Sequence, residues 1–164
     1  MRRIFLVVLA VLFCAAAVAA QTKVTGTAQC AKPDPQQTVP VGDRPGHLLG
    51  IAQVKCAYSA KPMEIGADKS KEGVGTETSE LSGNTSHSRG FYVVTMESGD
   101  KVFFTYHGTA TLKDGKLADL KGDWGINGGS GKLKGIKGKG TFTCAPSGDG
   151  ASSCDTDGEY QLPK

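Results

Sequence analysis

Beyond residue 20, apolar or small residues alternate with polar ones at a period of two over most of the chain, the period of a strand with one dry face. In residues 117–126, Leu120, Gly122, Trp124 and Ile126 share one face, and Lys121 and Asp123 share the other. After Gly135 the parity has slipped by one: Lys137 and Lys139 flank Gly138, and Ile136, Gly138, Gly140, Phe142 and Cys144 form the new small or apolar row. Such a slip predicts a bulge or a single helical turn that points Leu133 and Ile136 inward before a strand resumes at about 138. Nine of the 23 glycines lie between Gly115 and Gly140, so the backbone there passes through positions that a Cβ would obstruct.

Further strands are predicted over 22–29, 47–59, 73–81, 86–97, 101–112 and 155–162. In 47–59, Leu48, Ala52, Val54, Cys56 and Tyr58 line one side, and Gln53 and Lys55 the other. Residues 30–46 hold four prolines and read as a loop; 61–71 reads as irregular or one short helical turn. The 73–81 strand is weakly hydrophobic, with Thr76, Glu77 and Thr78 expected at exposed positions. Ser98-Gly99-Asp100 joins the two richest strands as a hairpin. These carry Phe91, Tyr92, Val93 and Val94, then Val102, Phe103, Phe104 and Tyr106, apolar on both faces. That pattern fits a wall packed inside by one row and covered outside by an oligomer neighbour or a loop. A second turn is expected at Lys113-Asp114-Gly115-Lys116. With about eight strands and no long helix, the expectation is an all-β domain over 21–164, an eight-stranded antiparallel β-barrel whose closure removes exposed edges.

The run Gly128-Gly129-Ser130-Gly131, followed by Leu133, Gly135, Gly138 and Gly140, resembles the glycine-rich segment shared by plant allene oxide cyclases and dirigent proteins. Leu133 stands where those proteins usually carry an aromatic. The resemblance covers about a quarter of the chain. It implies an eight-stranded antiparallel barrel, often trimeric, around a cavity for an apolar small molecule, and carries over no catalytic residue. A lipocalin or avidin-like barrel is the second choice: Gly122-Asp123-Trp124 matches the lipocalin Gly-x-Trp, but that signature belongs near the start of the mature chain.

The first 20 residues change the picture of location. Arg2 and Arg3 precede the apolar run 4–18, and small residues follow up to Gln21, the order of a Sec-type secretory signal. A single-span anchor is the competing reading, and Phe13 before Cys14 argues against a lipoprotein. Loss of this stretch, with its two arginines and no acid, takes the formal charge from +3 to +1. Attraction to nucleic acid is therefore not expected, nor a membrane span after signal removal. The mature chain is expected to be secreted or periplasmic. Its four cysteines, Cys30, Cys56, Cys144 and Cys154, read as two disulfides. Three connectivities are open, and Cys30–Cys56 with Cys144–Cys154 is preferred because each closes a loop rich in prolines or glycines. No pair has the close spacing of a zinc site.

Catalytic motifs mostly fail. Gly131-Lys132 is followed by leucine and lacks the upstream glycine of a phosphate loop. Asp155-Thr156-Asp157-Gly158 reads as a turn, since the twelfth position of a calcium loop would be Lys164. Asn84-Thr85-Ser86 is a formal glycosylation sequon. Lys132, Lys134, Lys137 and Lys139 read as a solvated face. His47, His87 and His107 have no metal spacing, and His107 is the best candidate for a cavity acid or base. No cofactor or metal is expected. Tyr58, Tyr92, Phe104, Tyr106, His107 and Trp124 are the expected ligand-binding residues, and Gly128, Gly129, Gly131, Gly135, Gly138 and Gly140 the structural glycines. The expected activity is binding of a small apolar molecule. The alternatives are a cyclase or isomerase that steers an apolar substrate, and an inert oligomeric scaffold. An inward glutamate, with Glu64 and Glu97 as candidates, would favour the enzyme.

Overall fold

In a computed structural model that describes residues 21–163, the chain forms ten strands and one short 3-10 turn. The strands are β1 (Thr22–Cys30), β2 (Gln36–Pro40), β3 (Leu48–Lys61), β4 (Glu64–Ile65), β5 (Asp68–Ser82), β6 (Thr85–Met96), β7 (Lys101–Lys113), β8 (Lys116–Gly129), β9 (Lys137–Gly148) and β10 (Ala151–Gln161). The expected signal or anchor lies outside the described residues.

Eight strands close an antiparallel barrel in which neighbours follow chain order: β5 to β10 form a meander, β10 pairs β1, β1 pairs β3, and β3 pairs β5. Closure leaves these eight without a free edge over most of their length. The remaining two are accessories. β2 pairs the start of β3, where β1 has diverged, and β4 makes a tight hairpin with β5. Both correct the expected loops at 30–46 and 61–71. Local pattern misses β2 because all five of its residues are exposed and one is proline.

The parity slip is realised as expected. A 3-10 turn at Gly131–Leu133 buries Leu133 and Ile136, and β9 begins at Lys137. Gly131, at φ +52, lies directly against the Asp100 carboxylate, which accepts the Lys132 N–H at 3.0 Å. Ser130 accepts the Lys101 N–H at 2.8 Å through its hydroxyl. The glycine-rich run therefore wraps its own aspartate and ties the corner to the β6–β7 turn. Of the two expectations for Asp155 to Gly158, a turn and the start of the 155–162 strand, the strand holds: these residues are mid-strand in β10. Gly158 is needed there for space, because a Cβ would strike the Trp124 ring.

Two disulfides link directly opposed cross-strand partners, Cys30–Cys56 between β1 and β3 and Cys144–Cys154 between β9 and β10. This is the preferred pairing, and it fits an oxidising compartment such as the periplasm or the extracellular space. Among the described residues no helix is long and apolar enough to cross a membrane.

Large and small residues alternate around the barrel interior. Trp124 lies over Gly140 and Gly158, Tyr92 over Gly73 and Gly75, and Ile126 over Gly138. The rings fill volume that the glycines leave, which is how a narrow barrel reaches close packing. The end carrying the β6–β7 turn and the 3-10 corner is closed by Met63, Ile65, Met96, Leu133 and Ile136, all buried. At the other end the inward rows hold Gly50, Ser79, Ser86, Ser88 and Ala110 together with Leu48, Leu81, Leu120 and Phe142, all half-buried. The barrel is thus closed by fully buried side chains at one end and lined by half-buried ones at the other.

Candidate functional site

The inward row of β5 continues from Gly73 and Gly75 to Glu77, paired with Ala52 of β3 and Gly90 of β6. Strand alternation turns Thr76 and Thr78 outward and Glu77 inward. This corrects the expectation that all three are exposed. Glu77 sits where the buried row of Gly73 and Gly75 gives way to half-buried positions, and its Oε2 accepts the Tyr106 hydroxyl at 2.9 Å. Tyr106 comes from β7 opposite Gly90, where a Cβ would crowd its ring. One step deeper, Tyr58 of β3 and Tyr92 of β6 share a hydrogen bond at 3.2 Å. Three phenols and one carboxylate therefore gather on one side of the interior.

Aromatic contacts carry this cluster across the barrel. Tyr92 and Phe104 have ring centroids 6.2 Å apart, Phe104 and Trp124 meet edge to face at 5.5 Å, and Tyr106 and Phe142 do so at 5.9 Å. The Trp124 indole N–H donates to the Thr141 carbonyl at 3.0 Å.

Burial sets the acid–base state of the phenols. Tyr92 is pushed up to about 12 by desolvation, slightly countered by its bond to Tyr58. Tyr58 is raised well above the ordinary phenol value, by burial first and by Tyr92 second. Tyr106 is raised by burial and then by the negative charge of Glu77 beside it. All three stay protonated at neutral pH, so they can donate and accept hydrogen bonds but supply no phenolate base. Glu77 supplies the carboxylate acceptor among them.

The residues expected to bind a ligand divide into three groups. Tyr106 and Tyr92 belong to the half-buried cluster. Tyr58, Phe104 and Trp124 are buried in the packed core. His107 faces the opposite way, on the outer wall, opposite Asp123 of β8 and away from the tyrosines. There it borders an open concavity of about 610 Å³ with His87, Lys121, Asp123, Thr141 and Thr143, which Gly108, Gly122, Ser88 and Phe142 also line. Glu64 and Glu97 are exposed outside the barrel. The inward glutamate is Glu77, and its signal was its place two residues beyond Gly75 on the same strand face. Among the described residues, no group of three His, Cys, Asp or Glu side chains is placed to hold a metal ion. No protein-family model matches the chain, and no curated protein matches it.

Proposed function

We propose that the half-buried end of the barrel interior binds a small molecule with an apolar body and a hydrogen-bonding end, and that the protein does this after export to the periplasm or beyond. The observation that carries the reading is the Tyr106–Glu77 pair, a donor and a carboxylate turned into a largely apolar interior where its fully buried part gives way to half-buried positions. A polar pair placed there orients a ligand, while the aromatic wall supplies contact area. The cluster is internally satisfied, and among the described residues no buried side-chain nitrogen or oxygen lacks a partner. A ligand head group must therefore replace one of these bonds with one of its own, which favours groups that both donate and accept. The resemblance to allene oxide cyclases and dirigent proteins supports the same class of occupant.

The test is native mass spectrometry of protein purified from an oxidising compartment, followed by organic extraction. A reproducible adduct that is lost in Tyr106→Phe and Glu77→Gln, with both variants folded, supports the reading. A clean apo mass with no uptake of fatty or aromatic probes overturns it and favours the scaffold. The scaffold reading has an observation of its own: Phe91 is 67% exposed and Phe103 39% exposed on the outer wall.

A further inference from the structure

The connection between β2 and β3 ends on a histidine whose surroundings are unlike those of the other two. His47 is only 8% exposed, and each of its ring nitrogens meets a carboxylate. Nδ1 is 2.5 Å from Asp43 Oδ1 in the connection itself, and Nε2 is 2.9 Å from Glu80 Oε1 on β5. Ionised carboxylates only accept hydrogen bonds, and a neutral imidazole has one donor. Both contacts are satisfied together only when both ring nitrogens carry protons. Arg44 completes the arrangement, bonding Asp43 at 2.5 Å and the Ser82 hydroxyl at 3.1 Å.

We propose that His47, Asp43 and Glu80 form a pH-sensitive clasp that holds the β2 segment against the edge of β3. The segment is tied at its start by the Cys30–Cys56 disulfide and along its length by five register pairs with β3. Beyond the far end of β2 the Val41 N–H donates to the His47 carbonyl at 3.0 Å, just before β3 begins. The charged groups facing His47 are Asp43 and Arg44 from the connection and Glu80 from β5, and His87 of β6 lies opposite Glu80 in register. The carboxylates outweigh Arg44. The bond to Asp43, then that to Glu80, raises the imidazole above its ordinary value against the opposing effects of burial and Arg44. Asp43 is lowered in turn, chiefly by its bond to His47.

The sign follows. A raised histidine contributes stability that is whole below its ordinary value of 6.5 and is lost as pH rises through the folded value. The lowered Asp43 keeps its side of the clasp intact until pH falls below 3.8. Opening on the alkaline side uncovers the edge of β3 from Leu48 to Ala52, together with Leu49 and Ile51, which are already half exposed. The clasp is independent of what the barrel interior binds.

The experiment uses the protein with both disulfides formed. The His47 C2–H resonance is titrated by NMR, and hydrogen exchange of the Val41 amide is followed over the same pH range, corrected for intrinsic exchange and referenced to Val94 in the core. The expected result is a His47 midpoint above the ordinary histidine value and a Val41 opening constant that rises through that midpoint. Each pKa unit of elevation gives about a tenfold change in opening. His47→Gln should make the Val41 profile flat, and Glu80→Gln should lower the His47 midpoint and shrink the change. An ordinary His47 midpoint, a flat profile in the wild type, or an unchanged profile in His47→Gln overturns the proposal.

Discussion

Replacing Gly73 by alanine tests whether the interior is packed ring against glycine. The three atoms nearest to a Cβ built at Gly73 all belong to Tyr92, its hydroxyl, Cζ and Cε2, and all lie inside van der Waals contact. The Tyr92 ring lies at the floor of the inward cluster and its hydroxyl is bonded to Tyr58, so it cannot swing away without breaking that bond. Overpacking of this kind costs about 1–3 kcal/mol, and the lost hydrogen bond adds about 1 kcal/mol. Gly73→Ala should therefore destabilise the barrel by about 2–4 kcal/mol. In a Tyr92→Leu background the clash partner is gone, and the same substitution should cost less than about 1 kcal/mol, because alanine also loses less chain entropy than glycine in a strand. Guanidinium unfolding of the four proteins of this cycle, with both disulfides intact, gives the coupling energy directly. A Gly73→Ala cost within about 0.5 kcal/mol of zero, or an equal cost in both backgrounds, refutes the packing argument.

Four further outcomes are expected. The Cys30–Cys56 link spans 26 residues and Cys144–Cys154 spans 10, so replacing the first pair by alanines should cost about 3.5 kcal/mol and the second about 2.7 kcal/mol on chain entropy, an order that denaturant unfolding can check. Phenols raised by burial contribute stability that is whole below pH 10.0 and lost as pH rises towards 12; circular dichroism with phenolate absorbance should show this loss, and a Tyr92→Phe curve with unchanged slope would refute the assignment. Ile136→Ala empties a fully buried position at the closed end and should cost about 2–4 kcal/mol by calorimetry or denaturant. Asp100→Ala leaves the Lys132 N–H without its carboxylate and should cost about 1–2 kcal/mol, with faster hydrogen exchange confined to the 3-10 corner.

Much of this architecture is legible along the chain because its causes are local. Alternation at period two marks the eight barrel strands, the parity slip at Gly135 marks the corner, and loops rich in prolines or glycines point to the two disulfide pairings. β2 is not legible, since its exposed residues are held by pairing to β3, which leaves no periodic trace nearby. Asp155 to Gly158 has turn composition, yet it is held in β10 by neighbours on both sides and by a tryptophan that needs the space over Gly158.

The candidate site marks the boundary most clearly. By itself the sequence determined which residues share a strand face: Tyr106 with Phe104, His107 with Thr105, Glu77 with Gly75. Tertiary structure alone decided which face looks inward and who meets whom across the barrel, so that Glu77 reached Tyr106 while His107 turned to the outer wall. The reason is physical. A strand's side chains alternate by local geometry, but the choice of inner face depends on the register and closure of eight strands distant in sequence.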